Sequence, residues 1–200
     1  MAQLNSVAGL VNELTSRFQN LEAGHAARVI YEVWRDICVD TEAWRVVLYN
    51  DTAVGQQDFT LVLPAGIGAD ILRVYTVTLN GGPQLPSRFW FMPPSTLHLA
   101  YSASIASTSG LVAYVALSPW LNDPTGINGS MFAIWSPAIY EGTVAKLSAM
   151  QNKPAWFDPQ LAKDSYFRFS GHKSRIRMDT ETANTSEPLH AYSTIPFTDL

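Results

Sequence analysis

Residues 29–50 read VIYEVWRDICVDTEAWRVVLYN, and the fold class turns on a change in the middle of that run. Val29, Ile30, Val33, Trp34 and Ile37 recur at spacings of three and four, the period of a helix with one apolar face. From Trp44 the period is two. Val46 and Leu48 alternate with Val47 and Tyr49, as side chains do on the two faces of a strand, and Asn50-Asp51 marks a turn. A chain that changes from helical to strand period here, and back again later, is α+β.

Working upstream, Leu4, Val7, Val11, Leu14, Phe18 and Leu21 form a second helical stripe, broken by Asn20 and Gly24. The two stripes predict a helical hairpin, its second helix running from about His25 to Cys38. Downstream, Phe59, Leu61 and Leu63 point one way and end at Pro64. Ile71 to Leu79 is rich in β-formers, and Asn80-Gly81-Gly82-Pro83 is a strong hairpin signal, because its first residues accept positive φ. Arg88–Met92 and Thr96–Tyr101 flank Pro93-Pro94-Ser95, and Ser107–Gly110 is expected to turn the chain into Leu111–Leu117. About seven short strands with frequent turns fit a small antiparallel β-sandwich or barrel.

After Ser118-Pro119 and a loop over Trp120–Ser130, helical period returns. Met131, Trp135, Ala138, Gly142, Ala145 and Ala149 share a face, and its small members permit close helix–helix approach. Pro137 is expected to kink this helix or to mark a start near Ser136 as N-cap. Asn152-Lys153-Pro154 stops it. Asp158-Pro159 then reads as N-cap and first helical residue, opening a helix to about Arg175. The polar remainder reads as an extended C-terminal arm anchored by Tyr192, Ile195 and Phe197. The predicted architecture is a helical bundle from residues 1–43 and 129–177, a β insert over 44–128, and the arm over 178–200.

Charged residues make up only 15% of the 200, while the chain holds six Trp, eight Tyr and nine Phe. A surface poor in charge and rich in aromatics is what large subunit interfaces present. Membrane insertion also gives this composition, but the longest clean apolar run, Leu111–Leu117, is far short of the about 20 residues needed. A net charge of −4 argues against sequence-independent nucleic-acid binding by the fold as a whole. The single Cys38 allows no internal disulfide, and no secretory signal is evident, so the three Asn-x-Ser/Thr matches read as chance.

The residues that carry chemistry are sparse. His25, His98, His172 and His190 form no metal-ligand spacing with one another or with Cys38, and neither metal nor cofactor is expected. Cys38 reads as a small buried hydrophobe. Asp36 and Asp40 lie four apart; an acid/base pair is one reading, and carboxylates meeting Arg35 and Arg45 is the plainer one. Gly66-Ile67-Gly68 is only a fragment of a phosphate loop. Gly126–Ser130 precedes a helix, where an anion site and a plain loop are both open. No nucleophile elbow, Walker motif or zinc knuckle is present, so an enzyme is disfavoured. Charge is uneven: residues 141–177 hold seven basic and three acidic groups, and 178–200 hold four acidic ones alone. Lys173, Arg175 and Arg177 therefore form a candidate patch for an acidic partner, against the alternative that they favour a helix C-terminus through the macrodipole.

An ordered set of segments in the second half carries a resemblance. It comprises Val115–Pro119, Ile134 through Glu141-Gly142 to Leu147, Lys153-Pro-Ala-Trp156-Phe-Asp-Pro159, Leu161-Ala-Lys and Tyr166-Phe-Arg-Phe. With Val33–Asp36, Trp44 and Leu63-Pro64 in the first half, it resembles head-to-tail adaptor proteins of short-tailed bacteriophages, also called tail tubular or gatekeeper proteins. The resemblance implies a dodecameric ring between portal protein and tail or nozzle protein, with genomic DNA passing through the lumen without sequence-specific binding. It places the chain in the virion, and in host cytoplasm during assembly. It implies that Ala138, Gly142 and Ala145 form a small packing face, that Trp156, Asp158 and Pro159 make the turn between the closing helices, and that the terminal arm clasps a partner. Two alternatives stand beside it: another tail-completion or minor capsid assembly protein, and a carbohydrate-binding or enzymatic module using Trp90, Phe91 and Tyr101 as a stacking platform.

Overall fold

A computed structural model describes residues 6–121, 129–153 and 155–186. The chain is α+β: among the described residues there are four helices and seven strands in two sheets with antiparallel pairing. They group into two compact units, one within Met1–Thr41 and Pro119–Thr180, the other within Glu42–Ser118 and Glu181–Leu200.

The first unit is helical. Helix α1, Val7–Arg17, starts where the Ser6 hydroxyl accepts from the Gly9 N–H at 3.1 Å. The chain turns at Asn20 (φ 59°) into α2, Ala23–Thr41. Of the predicted stripes, α1 buries Val11 and Leu14, joined by Leu10 while Val7 is only half-buried, and α2 buries Ala26, Val29, Ile30, Val33, Trp34 and Ile37. Helix α3, Gly129–Ser148, packs against α2 and touches α1. Helix α4 is Pro159–Ser186.

Two expectations are corrected in this unit. Helix α3 does not start near Ser136 but at Gly129, and it runs through both Ser136 and Pro137. Pro137 lacks the N–H that would bond the Ala133 carbonyl, and the Ser136 hydroxyl donates to that carbonyl instead, at 3.0 Å. Ser136 thus satisfies an acceptor inside the helix rather than capping its end. The extended arm does not begin at residue 178, because Met178–Ser186 continue α4. No Gly or Pro interrupts this stretch, and the helix persists to within two residues of Pro188, whose ring disfavours helix in the residue before it. The expected anchors Tyr192, Ile195 and Phe197, like His190 and most of the Gly126–Ser130 loop, lie outside the described residues.

The second unit is β. Strands β1 (Arg45–Thr52), β7 (Ser107–Pro119), β3 (Ala69–Leu79) and β4 (Gly82–Gln84) form one sheet in that order. Strands β2 (Asp58–Thr60), β6 (Thr96–Leu99) and β5 (Phe89–Met92) form the other. The Asn80-Gly81 hairpin is present, with φ of 48° and 79° and Leu79 facing Gly82. Ser107–Gly110 is not a free turn but the first part of β7. The register slips there, from Asn50↔Leu111 to Thr52↔Ser107, with Ser109 at φ 53°. Of Leu111–Leu117 all but Val112 are buried, as a near-continuous apolar run suggests for a strand covered on both faces.

Candidate functional site

In the helical unit the structure brings the small-face residues to one seam. A Cβ added at Gly142 would stand 2.6 Å from Val33 Cγ1 on α2 and 2.9 Å from the Phe169 ring on α4. Only glycine lets α3 lie that close to both neighbours. Ala138 and Ala145 are buried one turn to either side. Trp156 is buried beyond the end of α3; its indole N–H donates to the Gln19 carbonyl at 2.6 Å, and its ring meets Phe18 edge-on at 6.3 Å and His25 at 5.9 Å. It thereby ties the α3–α4 turn to the α1–α2 turn. The Asp158 carboxylate accepts from the Leu161 N–H at 2.9 Å, capping α4, and Pro159 occupies the first helical position.

The candidate acidic-partner patch is divided, which corrects the reading of it as one surface. Lys173 donates to the Asp40 carboxylate at 2.5 Å and Arg177 donates to the Asp40 backbone carbonyl, so both serve the end of α2. Only Arg175 stays exposed without an ion pair or hydrogen bond among the described residues. Asp36 and Asp40 do not share an acid/base site either, nor do they meet Arg35 and Arg45. Asp36 pairs with Lys146 of α3 at 2.8 Å. The partners come from helices more than a hundred residues away, which local spacing does not reveal. Partly exposed pairs of this kind contribute about 0–1 kcal/mol each. Among the exposed, mostly polar side chains of α4 stand two large aromatic ones, Tyr166 and Phe167, the latter 80% exposed.

The β unit holds two polar constellations that local spacing did not single out. At one, the Tyr75 phenol donates to the Glu42 carboxylate while the Arg45 guanidinium lies over its ring, 4.2 Å from the centroid. Burial, then the hydrogen bond to Glu42, pushes the Tyr75 phenol up to about 12. At the other, the Asp58 carboxylate accepts from His98 Nδ1 at 2.5 Å, and the His98 ring stacks on Trp90 at 4.3 Å. The second is a cross-strand product of register, visible only once Asp58↔His98 and Trp90↔His98 are paired. The same register dissolves the expected stacking platform. Trp90 and Phe91 are adjacent in β5 and point to opposite faces, and Tyr101 lies instead against Arg88, 5.3 Å away.

Cys38 is buried, and burial pushes its thiol far above the ordinary range, which removes it as a nucleophile near neutral pH. Gly66-Ile67-Gly68 leads into β3 and not a helix. Among the described residues no group of three His, Cys, Asp or Glu is placed to hold a metal ion, and no helix is long and apolar enough to cross a membrane. Neither a protein-family model nor a curated protein matches the sequence.

Proposed function

We propose that this chain is a structural subunit of a phage head-to-tail junction, an adaptor that assembles as a ring between portal and tail and lets the genome pass. In this reading the four helices are a bundle forming the ring body, the two sheets are a sandwich, and residues 187–200, with their anchors Tyr192, Ile195 and Phe197, clasp a partner. The observation that carries it is a pair of aromatic side chains left exposed on α4 of a chain with few charges: Phe167 is 80% and Tyr166 62% exposed, and only 15% of the residues are charged. Large exposed apolar patches on a folded chain mark surfaces meant to be covered. A ring subunit meets neighbours on two sides and further components above and below, each contact covering about 800 Å² per partner. The residues that carry the resemblance support it in kind, since Gly142, Trp156 and Asp158 hold helices together and perform no chemistry.

Capsids purified from a mutant lacking this protein provide the test. Added back, the chain is expected to co-sediment with them in a fixed number of copies per particle and to restore tail attachment. Particles that attach tails and retain DNA equally well without it would end the proposal.

A further inference from the structure

This inference rests on the ring reading and names the contact between neighbouring copies. On one face of the β2–β6–β5 sheet a single cross-strand row runs Asp58, His98, Trp90. With the Nδ1 hydrogen committed to Asp58, the row presents a second carboxylate oxygen and an indole that is 48% exposed. Such a row suits a planar cation, because a guanidinium lies flat on an indole and donates in its own plane to a carboxylate.

The helical unit carries the complement. Lys146, Arg168, Lys173 and Arg177 are engaged within their own unit, whereas Arg175 is exposed with no such partner among the described residues. Phe167 stands eight residues earlier on the same helix face, about 12 Å away. Gly171 lies midway, and a Cβ there would meet nothing within 4 Å. The ridge therefore has an aromatic at one end, a cation at the other and a gap between them.

The geometry points to a head-to-tail contact in which Arg175 of one copy docks on the Asp58–His98–Trp90 row of a second copy, with the second copy's indole entering the gap over Gly171. The two surfaces differ, so the contact is heterologous, the kind that closes into a ring when the rotation allows. Across it the Asp58 carboxylate and the Arg175 guanidinium carry opposite charges, and the Trp90 indole faces a groove next to an aromatic ring.

Charge exchange tests it in the full-length chain. Asp58→Arg and Arg175→Asp are expected each to weaken association about tenfold, and the doubly exchanged chain to recover most of it. Association is read as self-association by light scattering and as copies retained per capsid lacking the protein. Gly171→Leu fills the gap and is expected to weaken association as the single exchanges do. All four variants change exposed positions and are expected to keep the wild-type circular dichroism, with a melting temperature no lower than a few degrees below wild type and slightly higher for Gly171→Leu, because leucine favours a helix interior over glycine. Single exchanges that associate like wild type, or a double exchange no better than either single one, overturn the contact and leave the ring reading standing. Loss of capsid retention with unchanged self-association assigns these residues to another partner and also overturns it. A wild-type chain that neither self-associates nor stays on capsids sinks the ring reading itself.

Discussion

Gly142 in α3 and Gly110 in β7 keep the same small volume empty for opposite reasons. A Cβ at Gly142 would strike hydrocarbon, the Val33 methyl and the Phe169 ring. A Cβ at Gly110 would strike oxygen, Thr52 Oγ1 at 2.5 Å and Asn80 Oδ1 at 2.6 Å. The first glycine lets three helices close on one another. The second lets a knot of hydrogen bonds form at a register slip: the Thr52 hydroxyl donates to the Ile105 carbonyl and accepts from the Ser107 N–H, each at 3.0 Å, and the Asn80 N–H donates to the Gly110 carbonyl at 2.6 Å. The helical unit is thus specified by volume and the β unit, at this corner, by polar geometry.

The comparison breaks most visibly at Gly142→Leu. Overpacking a seam this tight is expected to cost about 3 kcal/mol in chemical denaturation, and an unchanged midpoint would show that the helices do not meet there. Gly110→Ala is expected to cost about 2 kcal/mol, with faster amide exchange at Ser107, because the added methyl displaces the Thr52 hydroxyl that accepts its N–H. Thr52→Val sharpens the contrast, since it keeps the size and removes only the hydroxyl. A loss of about 1–2 kcal/mol is expected, and a neutral outcome would mean that packing rules the β unit too. Tyr75 gives the smallest effect. Its pKa is raised from 10 to about 12, so the folded state favours the protonated phenol. That stability is fully present below about pH 10 and is lost as pH rises through about 12. Ultraviolet titration is expected to show one tyrosine ionising late, and Tyr75→Phe to abolish that step.

Much of the fold was legible because it is written locally. The helical stripes of α1 and α2, the Asn80-Gly81 hairpin and the Asp158-Pro159 cap each need only neighbours within a few residues. What was not legible depends on partners far along the chain. Pro137 read as a kink or a helix start because spacing does not show the Ser136 hydroxyl reaching back to the Ala133 carbonyl. Lys173 and Arg177 looked like a docking patch because Asp40, their acceptor, lies more than a hundred residues earlier. The Asp58–His98–Trp90 row was hidden because strand register, and not spacing, puts those three side chains side by side.

The bond from Trp156 to Gln19 spans 137 residues and has a consequence for synthesis. The α1–α2 pair leaves the ribosome with Val33, Trp34 and Ile37 uncovered, and the helix that covers them is completed only at Ser148. At about 5–20 residues per second the nascent pair waits on the order of ten seconds for its lid. During that interval a greasy surface stands bare in the cell, and a chaperone that shields it would raise the yield of finished chains.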